Sequence, residues 1–400
     1  THELGAFERA LRSTKRAFRR PGIACIPQRS QALSRMLKGL ALACVTAVTA
    51  VSAEKIPVVL VADVGIDDAA ALLWLLRSPS IELLGIASSF GCHGDVRQTA
   101  ANAKRLLRAA GAPCVPVHVG SRVAFGNWAP NDDDGKYIHG ADGLGDVPPL
   151  DGEADVVTCD RDVDESLSSA EFIAQTVRER PGEVTIIVTS PATNLALAVV
   201  LEPQLPELVK QVLIMGGAVD HPGNVSPLAE ANFAHDSRAA KVVVDAFSSE
   251  DGERLVIAPL DVTMRAMATV QQMQQLTKAG IGGSLLAEAW RRYTTNYCQV
   301  LKFCGAHAAV HDAHPVAYLL HPSLYANGTR VEPVEIMVTE PLHPSNGHSL
   351  VDRRQLAKEG IVDDRTGDVT GFQKPRATVL VDVDGDAFLR AFFDTVLGRA

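Results

Sequence analysis

Three carboxylates within six residues, Asp63-Val64-Gly65-Ile66-Asp67-Asp68, stand where the apolar run PVVLVA gives way to the helical pattern AAALLWLL. Held together at neutral pH they would repel one another unless a cation or protons neutralised them. Ligation by oxygen alone favours hard ions such as Ca or Mg over Zn. The same residues also read as solvated acids in the first turn of a capped helix, where Asp is common. A second group is Val310-His311-Asp312, preceded by Tyr293 and Tyr297 at the i, i+4 spacing of one helix face. His311 could move a proton near neutral pH and Asp312 offers another hard oxygen, although a lone His is more often an ordinary hydrogen-bonded core or surface residue. A third follows the run ending Met215-Gly216-Gly217: Asn224, Glu230 and Asn232 lie in a polar stretch. Amides and a carboxylate suit sugar hydroxyls because each exchanges several hydrogen bonds, but polar loops also simply meet water.

The elements that must position these groups are legible as alternation. Continuous apolar runs at 57–63, 81–89, 116–120, 183–190, 211–217, 254–262 and 377–384 read as strands buried on both faces. Amphipathic stretches between them, first at 67–77 and 95–110, read as helices. The pattern predicts an α/β fold: an open, mostly parallel sheet flanked by helices, with its ligand crevice at the carboxyl ends of the strands. No internal repeat or low-complexity linker divides residues 54–400, which read as one domain. The Gly- and Asp-rich stretch 127–155 reads as a long binding or lid loop.

Composition narrows the partners. Of 400 residues, 46% are hydrophobic and 21% charged, which excludes disordered and multi-span membrane classes. Residues 1–53 hold nine of the 38 basic side chains and two of the 47 acidic ones, so the remainder carries 29 basic and 45 acidic groups, a net charge of −16. An acidic body argues against nucleic acid and for a small neutral or cationic ligand. Residues 36–53, MLKGLALACVTAVTAVSA, read as a secretory signal ending in a small-residue cleavage site, with a first core helix as the competing reading. Residues 1–35 read as an upstream extension or part of a transit peptide. Export predicts a secreted or extracytoplasmic protein without stable membrane association after cleavage; organellar or cytoplasmic residence is the alternative. Cys92, Cys114, Cys159, Cys298 and Cys304 follow no paired or CxxC spacing and are expected to be buried free thiols. Asp132-Asp133-Asp134-Gly135 and Asp382-Val383-Asp384-Gly385-Asp386 lack the sixth-position Gly and twelfth-position Glu of a calcium loop and read as solvated turns. Asn327-Gly328-Thr329 and Asn224-Val225-Ser226 are glycosylation sequons, the second the poorer acceptor.

Taken in order, seven stretches resemble the nucleoside hydrolases, the inosine/uridine-type N-ribohydrolases: DVGIDDAAAL at 63–72 (family pattern DxDPGxDDAxAL), IHGADGLG at 138–145, TSPATNLALA at 189–198, VLIMGGAV at 212–219, GNVSPLAEANFAHDSRAA at 223–240, LDVT at 260–263 and AAVHDAHPVAYLL at 308–320. The resemblance runs from about Pro57 to the C-terminus. It implies hydrolysis of the N-glycosidic bond of a ribonucleoside to ribose and free base, in a homodimer or homotetramer. It implies Ca2+ held by Asp63, Asp68, the Thr189 carbonyl and Asp312, with Asp63 also the general base. Asp67 and Asn232 would then bind the ribose 2′ and 3′ hydroxyls and Asn224 and Glu230 the 5′ hydroxyl. His311, with His139 and Tyr297 nearby, would face the base and help it leave. The chemistry resembles glycoside hydrolysis through an oxocarbenium-like state. The chain departs from the family pattern at Val61, where the family has Asp, at Val64 for Pro, at Cys92 for Asn, and at Ala231 for an aromatic. Those departures motivate a rival reading, a catalytically impaired relative that binds Ca2+ and a ribosyl ligand. A phosphohydrolase is disfavoured, because no Gly-rich cradle or cationic clamp follows the Asp motif.

Overall fold

The first apolar run becomes strand β1 (Ile56–Ala62), and its alternation explains the two faces of the sheet. Val58, Leu60 and Ala62 point into one apolar cluster with Leu72 and Trp74, while Val59 and Val61 point into another with Ile173, Leu195 and Val243. All five strand residues are fully buried, each aliphatic side chain contributing about 1.5–3 kcal/mol by leaving water. A computed structural model describes residues 54–125, 135–156, 163–302, 304–351 and 376–399. The leader, the Asp132–Asp134 turn and Cys159 lie outside the described residues.

After β1 come β2 (Ile81–Ser88), β3 (Val117–His118), β4 (Thr185–Val188), β5 (Gln211–Met215) and β6 (Leu255–Ala258). They are followed by β7 (Met267–Thr269), β8 (His307–Ala309), β9 (Thr329–Glu332), β10 (Val334–Ile336), β11 (Ser349–Val351) and β12 (Ala377–Leu380). The main sheet has eight strands in the order β3-β2-β1-β4-β5-β6-β12-β9. All its pairings are parallel except β12 with β9. The mostly parallel α/β architecture read from the alternation is therefore the one observed. β9 and the small pairs β7–β8 and β10–β11 had no sequence signal: none is part of a continuous apolar run, and β9 is mostly exposed.

Helices α1 (Ile66–Arg77), α2 (Val96–Ala109), α3 (Ser169–Glu179), α4 (Thr193–Leu201), α5 (Ser237–Phe247), α6 (Ile281–Asn296), α7 (Ala313–Leu320) and α8 (Gly385–Val396) cover the sheet. One apolar run is split: β6 ends at Ala258 and Leu260–Thr263 is a helical turn, because Pro259 cannot donate to the ladder.

Strand order reverses at β1. The chain moves from β1 outward through β2 and β3, then returns to place β4 on the other side of β1. Such a switch opens a crevice at the carboxyl ends of the two central strands. Val61 is in register with Val188, so the residues leaving those strands, Asp63 and Thr189, emerge side by side.

The cysteines differ from expectation. Cys298 and Cys304 form a disulfide with a Cα–Cα separation of 4.2 Å, Cys114 is also disulfide-bonded, and Cys92 is a buried free thiol. Six residues apart, Cys298 and Cys304 meet because a π-helical turn (Tyr297–Leu301) continues α6 and ends on Lys302 at φ +64°, reversing the chain. Spacing alone carries no sign of such a reversal.

Candidate active site

All eleven residues singled out from the sequence line one cavity of about 290 Å³ at this crevice: Asp63, Asp67, Asp68, His139, Thr189, Asn224, Glu230, Asn232, Tyr297, His311 and Asp312. They come from six separate stretches of chain. The sheet supplies Asp63 and Thr189, the first turn of α1 supplies Asp67 and Asp68, and Asp312 precedes α7.

Asp68 is fixed from two sides. One oxygen accepts the Gly65 N–H at 2.8 Å and the other the Thr189 hydroxyl at 2.7 Å. Single oxygens of Asp67, Asp68 and Asp312 lie within 4.8 Å of one another. Burial raises all three above the ordinary carboxylate range, and repulsion from neighbouring carboxylates adds to it at Asp67, which reaches about 7, and at Asp312, which lies well above its usual value. Three buried carboxylates that resist ionising together are the donor set a hard divalent cation would satisfy, so the residues fit a metal.

Asp63 adjoins that group through a side-chain hydrogen bond to Asp68, and burial pushes its carboxyl well up. Its other contacts are with the β2–α2 turn: the Cys92 N–H donates to the Asp63 carboxylate, and the Cys92 thiol donates to the Asp63 carbonyl at 2.7 Å. Gly91 permits this approach; at φ +153° it has no room for a side chain, since a Cβ would lie 2.0 Å from the Asp63 oxygen. Burial and the surrounding carboxylates raise the Cys92 thiol well above its usual value, so it is an un-ionised packing and hydrogen-bonding group. Val64 lies at φ +32°, which a proline ring cannot adopt, so the turn here differs from the Pro of the family pattern.

His139 sits on the short helix Lys136–His139, docked where Asn296 donates to the Ile138 carbonyl at 2.9 Å. Its Nδ1 accepts the Ile66 N–H at 3.2 Å, which leaves the proton on Nε2 as a donor. Burial lowers its pKa to about 4, so its 3.9 Å approach to Asp67 is not an ion pair. Against this ring the chain must be small: a Cβ on Gly65 would lie 2.7 Å from His139 Nδ1.

His311 is held at both nitrogens, by the Thr263 hydroxyl at 2.7 Å on Nδ1 and the Tyr297 hydroxyl at 2.5 Å on Nε2. Burial lowers it to about 3, so it is neutral at physiological pH. Tyr293 stacks edge-on to Tyr297 with ring centres 4.9 Å apart, the i, i+4 pair read from the sequence. Thr263 was not foreseen. Its presence in LDVT gave no reason to place it beside a histidine 48 positions away, which only the β7–β8 pairing brings about.

The opposite wall is polar. Glu230 caps the short helix Ala231–His235, accepting N–H groups from Asn232, Phe233 and Gly217 at 2.8, 3.2 and 2.9 Å. Burial nevertheless raises it to about 7. Asn224 accepts the Ala231 N–H at 2.9 Å, and Asn232 donates to the Met215 carbonyl at 3.3 Å. Apolar Val300, Leu301, Met215 and Ile138 also line the cavity, and Val300 and Leu301 carry no signal in their own sequence context.

Carboxylates on one side, a neutral His–Tyr pair on another and amides between them match the order of motifs found along the chain. The sequence profile of the family "Inosine-uridine preferring nucleoside hydrolase" matches residues 58–390. The chain belongs to that family. Among its relatives, uridine nucleosidase 1 of Arabidopsis thaliana is 33% identical over 73% of this chain and 80% of the relative. The pyrimidine-specific ribonucleoside hydrolase RihA of Escherichia coli is 31% identical over 85% and 97%. Of solved structures, a plant nucleoside hydrolase aligns with a TM-score of 0.72 at 27% identity, covering 85% of this chain and 98% of the other. A purine-preferring ribonucleoside hydrolase from Gardnerella vaginalis aligns at 0.69 and 26%, covering 86% and 98%. This nucleoside hydrolase family member is thus a hydrolase of N-glycosyl bonds. Of the departures that suggested impairment, Val61 lies in the apolar cluster behind the sheet and does not line the cavity, whereas Cys92 and Ala231 do.

Proposed function

We propose that the protein cleaves ribonucleosides to ribose and free base with Ca2+ as its metal, held by Asp68 and Asp312 together with Asp63 and the Thr189 carbonyl. The single observation that carries this reading is the convergence of buried carboxylates on one wall of the cavity with a neutral, doubly hydrogen-bonded histidine on another. When bound, the cation would polarise water and the ribose hydroxyls together and relieve the repulsion among the carboxylates. Asp63 takes the proton of the attacking water, as a carboxylate beside the reacting oxygen can. Asp67 and Asn232 hold the 2′ and 3′ hydroxyls, and Asn224 and Glu230 the 5′ hydroxyl. The carboxylates stabilise positive charge as the C–N bond lengthens. His311 and Tyr297, with the Nε2–H of His139, donate to the departing base.

The test is free-base release from inosine, adenosine, guanosine, uridine and cytidine with and without a calcium chelator, followed by readdition of Ca2+, Mg2+ or Zn2+. Chelator-sensitive turnover restored best by Ca2+ is the expected result. Turnover indifferent to the chelator would overturn the metal assignment. The names of the similar enzymes make uridine the first substrate to try. We also propose residence outside the reducing cytoplasm; the signal-like segment 36–53 and the Cys298–Cys304 disulfide support it. N-terminal sequencing of the mature chain tests it, and an intact segment 36–53 would refute cleavage.

A further inference from the structure

We propose that the Cys298–Cys304 disulfide is a positioning device for the base-side wall of the cavity, so that affinity for the ribonucleoside depends on the redox state of this one bond. The inference rests on reading the cavity as a ribonucleoside site. It starts from where the bond sits. Tyr297, Val300 and Leu301 all line the cavity, and all belong to the π-helical turn that begins one residue before Cys298. Tyr297 anchors the start of the turn through its buried ring and its hydrogen bond to His311, but beyond it the turn finishes on the left-handed Lys302 and carries Val300 at 46% exposure. Six residues later the chain enters β8 and then delivers His311 and Asp312. The bond therefore ties the strand side of the cavity to the turn side at the point where Tyr297 meets His311.

Closing so short a loop removes conformations in which the turn unwinds and the wall drops away from the cavity. A wall already in place costs a ligand no ordering, whereas a loose one must be ordered as the base enters. Cys304 is exposed, so the bond is within reach of a dithiol. The exchange balances as two electrons and two protons: the dithiol becomes a cyclic disulfide, the Cys298–Cys304 bond breaks, and both sulfurs end as thiols. Neither cysteine lines the cavity, so the bond acts on the site only through the turn that carries Tyr297, Val300 and Leu301, and Asp63 on the opposite side is untouched.

The experiment compares the oxidised protein, the same protein treated with excess dithiol, and the Cys298→Ser/Cys304→Ser double variant. Because Cys114 is also disulfide-bonded, the double variant is measured with dithiol as well, which isolates any contribution from that bond. Two readouts are taken: steady-state release of base, and amide hydrogen exchange across residues 297–301. Expected are a KM raised about tenfold in the reduced protein and the double variant, a smaller fall in kcat because Tyr297 rides on the turn, and exchange in the turn at least tenfold faster. KM and exchange unchanged in both would overturn the proposal, as would a loss in kcat at constant KM. If the oxidised protein releases no base from any ribonucleoside, the functional reading fails instead, and the exchange rates alone decide whether the bond holds the wall. Should the double variant fold poorly, Cys304→Ser alone removes the same bond while leaving Cys114 paired, and gives the same comparison.

Discussion

Replacing Gly65 by Ala tests the placement of His139 without touching any proposed chemical group. The backbone at Gly65 has φ −84° and ψ −163°, which any residue adopts, so glycine is required there by space and not by conformation. An added methyl would lie 2.7 Å from His139 Nδ1, 2.9 Å from its Cε1 and 3.1 Å from the Cys92 Cβ. Ordinary contact begins near 3.4 Å, so the imidazole must retreat by roughly 0.7 Å. That displacement breaks its hydrogen bond to Ile66 N–H, already 3.2 Å long, and swings Nε2 away from the base. Misplacing a catalytic contact by such a distance costs about 10- to 100-fold in kcat/KM, or about 1.4–2.8 kcal/mol of transition-state stabilisation. The assay is kcat/KM for uridine in Gly65→Ala, His139→Ala and the double variant. The two changes should be strongly non-additive, because once the ring is gone the methyl has nothing to push. Full activity in Gly65→Ala, or costs that simply add, would refute the claim that His139 is poised against Gly65.

Three further outcomes follow from the same geometry. Asp63→Asn should lower turnover by about 10²- to 10⁴-fold while leaving circular dichroism unchanged and the calcium-free melting midpoint no lower, since it removes one of several repelling carboxylates; retained activity would dismiss Asp63 as the base. Glu230 is raised from 4.5 to about 7 by burial, so its contribution to stability is fully present below pH 4.5 and is lost as the pH rises through 7. Between pH 4.5 and 7.5 the stability of Glu230→Gln relative to the native chain should therefore swing by about 3 kcal/mol in favour of the variant, and a pH-independent difference in urea titrations would contradict the buried, protonated state. Val61→Asp should destabilise by about 3–5 kcal/mol, because it puts a carboxylate into an apolar cluster with no partner; a rise in turnover would show that Val61 bears on the site after all.

Much of the site was readable without coordinates because its residues carry their chemistry in type and local spacing. Three Asp residues at a strand-to-helix junction betray mutual repulsion wherever the chain goes, and continuous apolar runs separated by amphipathic ones admit few architectures other than a parallel sheet. What could not be read is everything set by long-range closure. Thr263 reaches His311 only because β7 pairs with β8. The tightest oxygen cluster pairs Asp67 and Asp68 with Asp312, while Asp63 is shared between Asp68 and the Cys92 amide. Val61 looked like a lost catalytic partner by its position two before Asp63, yet the two-residue period of β1 turns it toward α3 and α4.

The sequence by itself determined the α/β sheet, the crevice at its carboxyl edge and the residue types that line it, because apolar periodicity and charge crowding are properties of neighbours along the chain. Only the tertiary structure decided which histidine nitrogens are tied, which carboxylate oxygens lie within 4.8 Å of one another, and that Cys298 closes on Cys304. Those depend on strand order, on register and on a left-handed residue at Lys302, where separations of many residues collapse to a few ångströms.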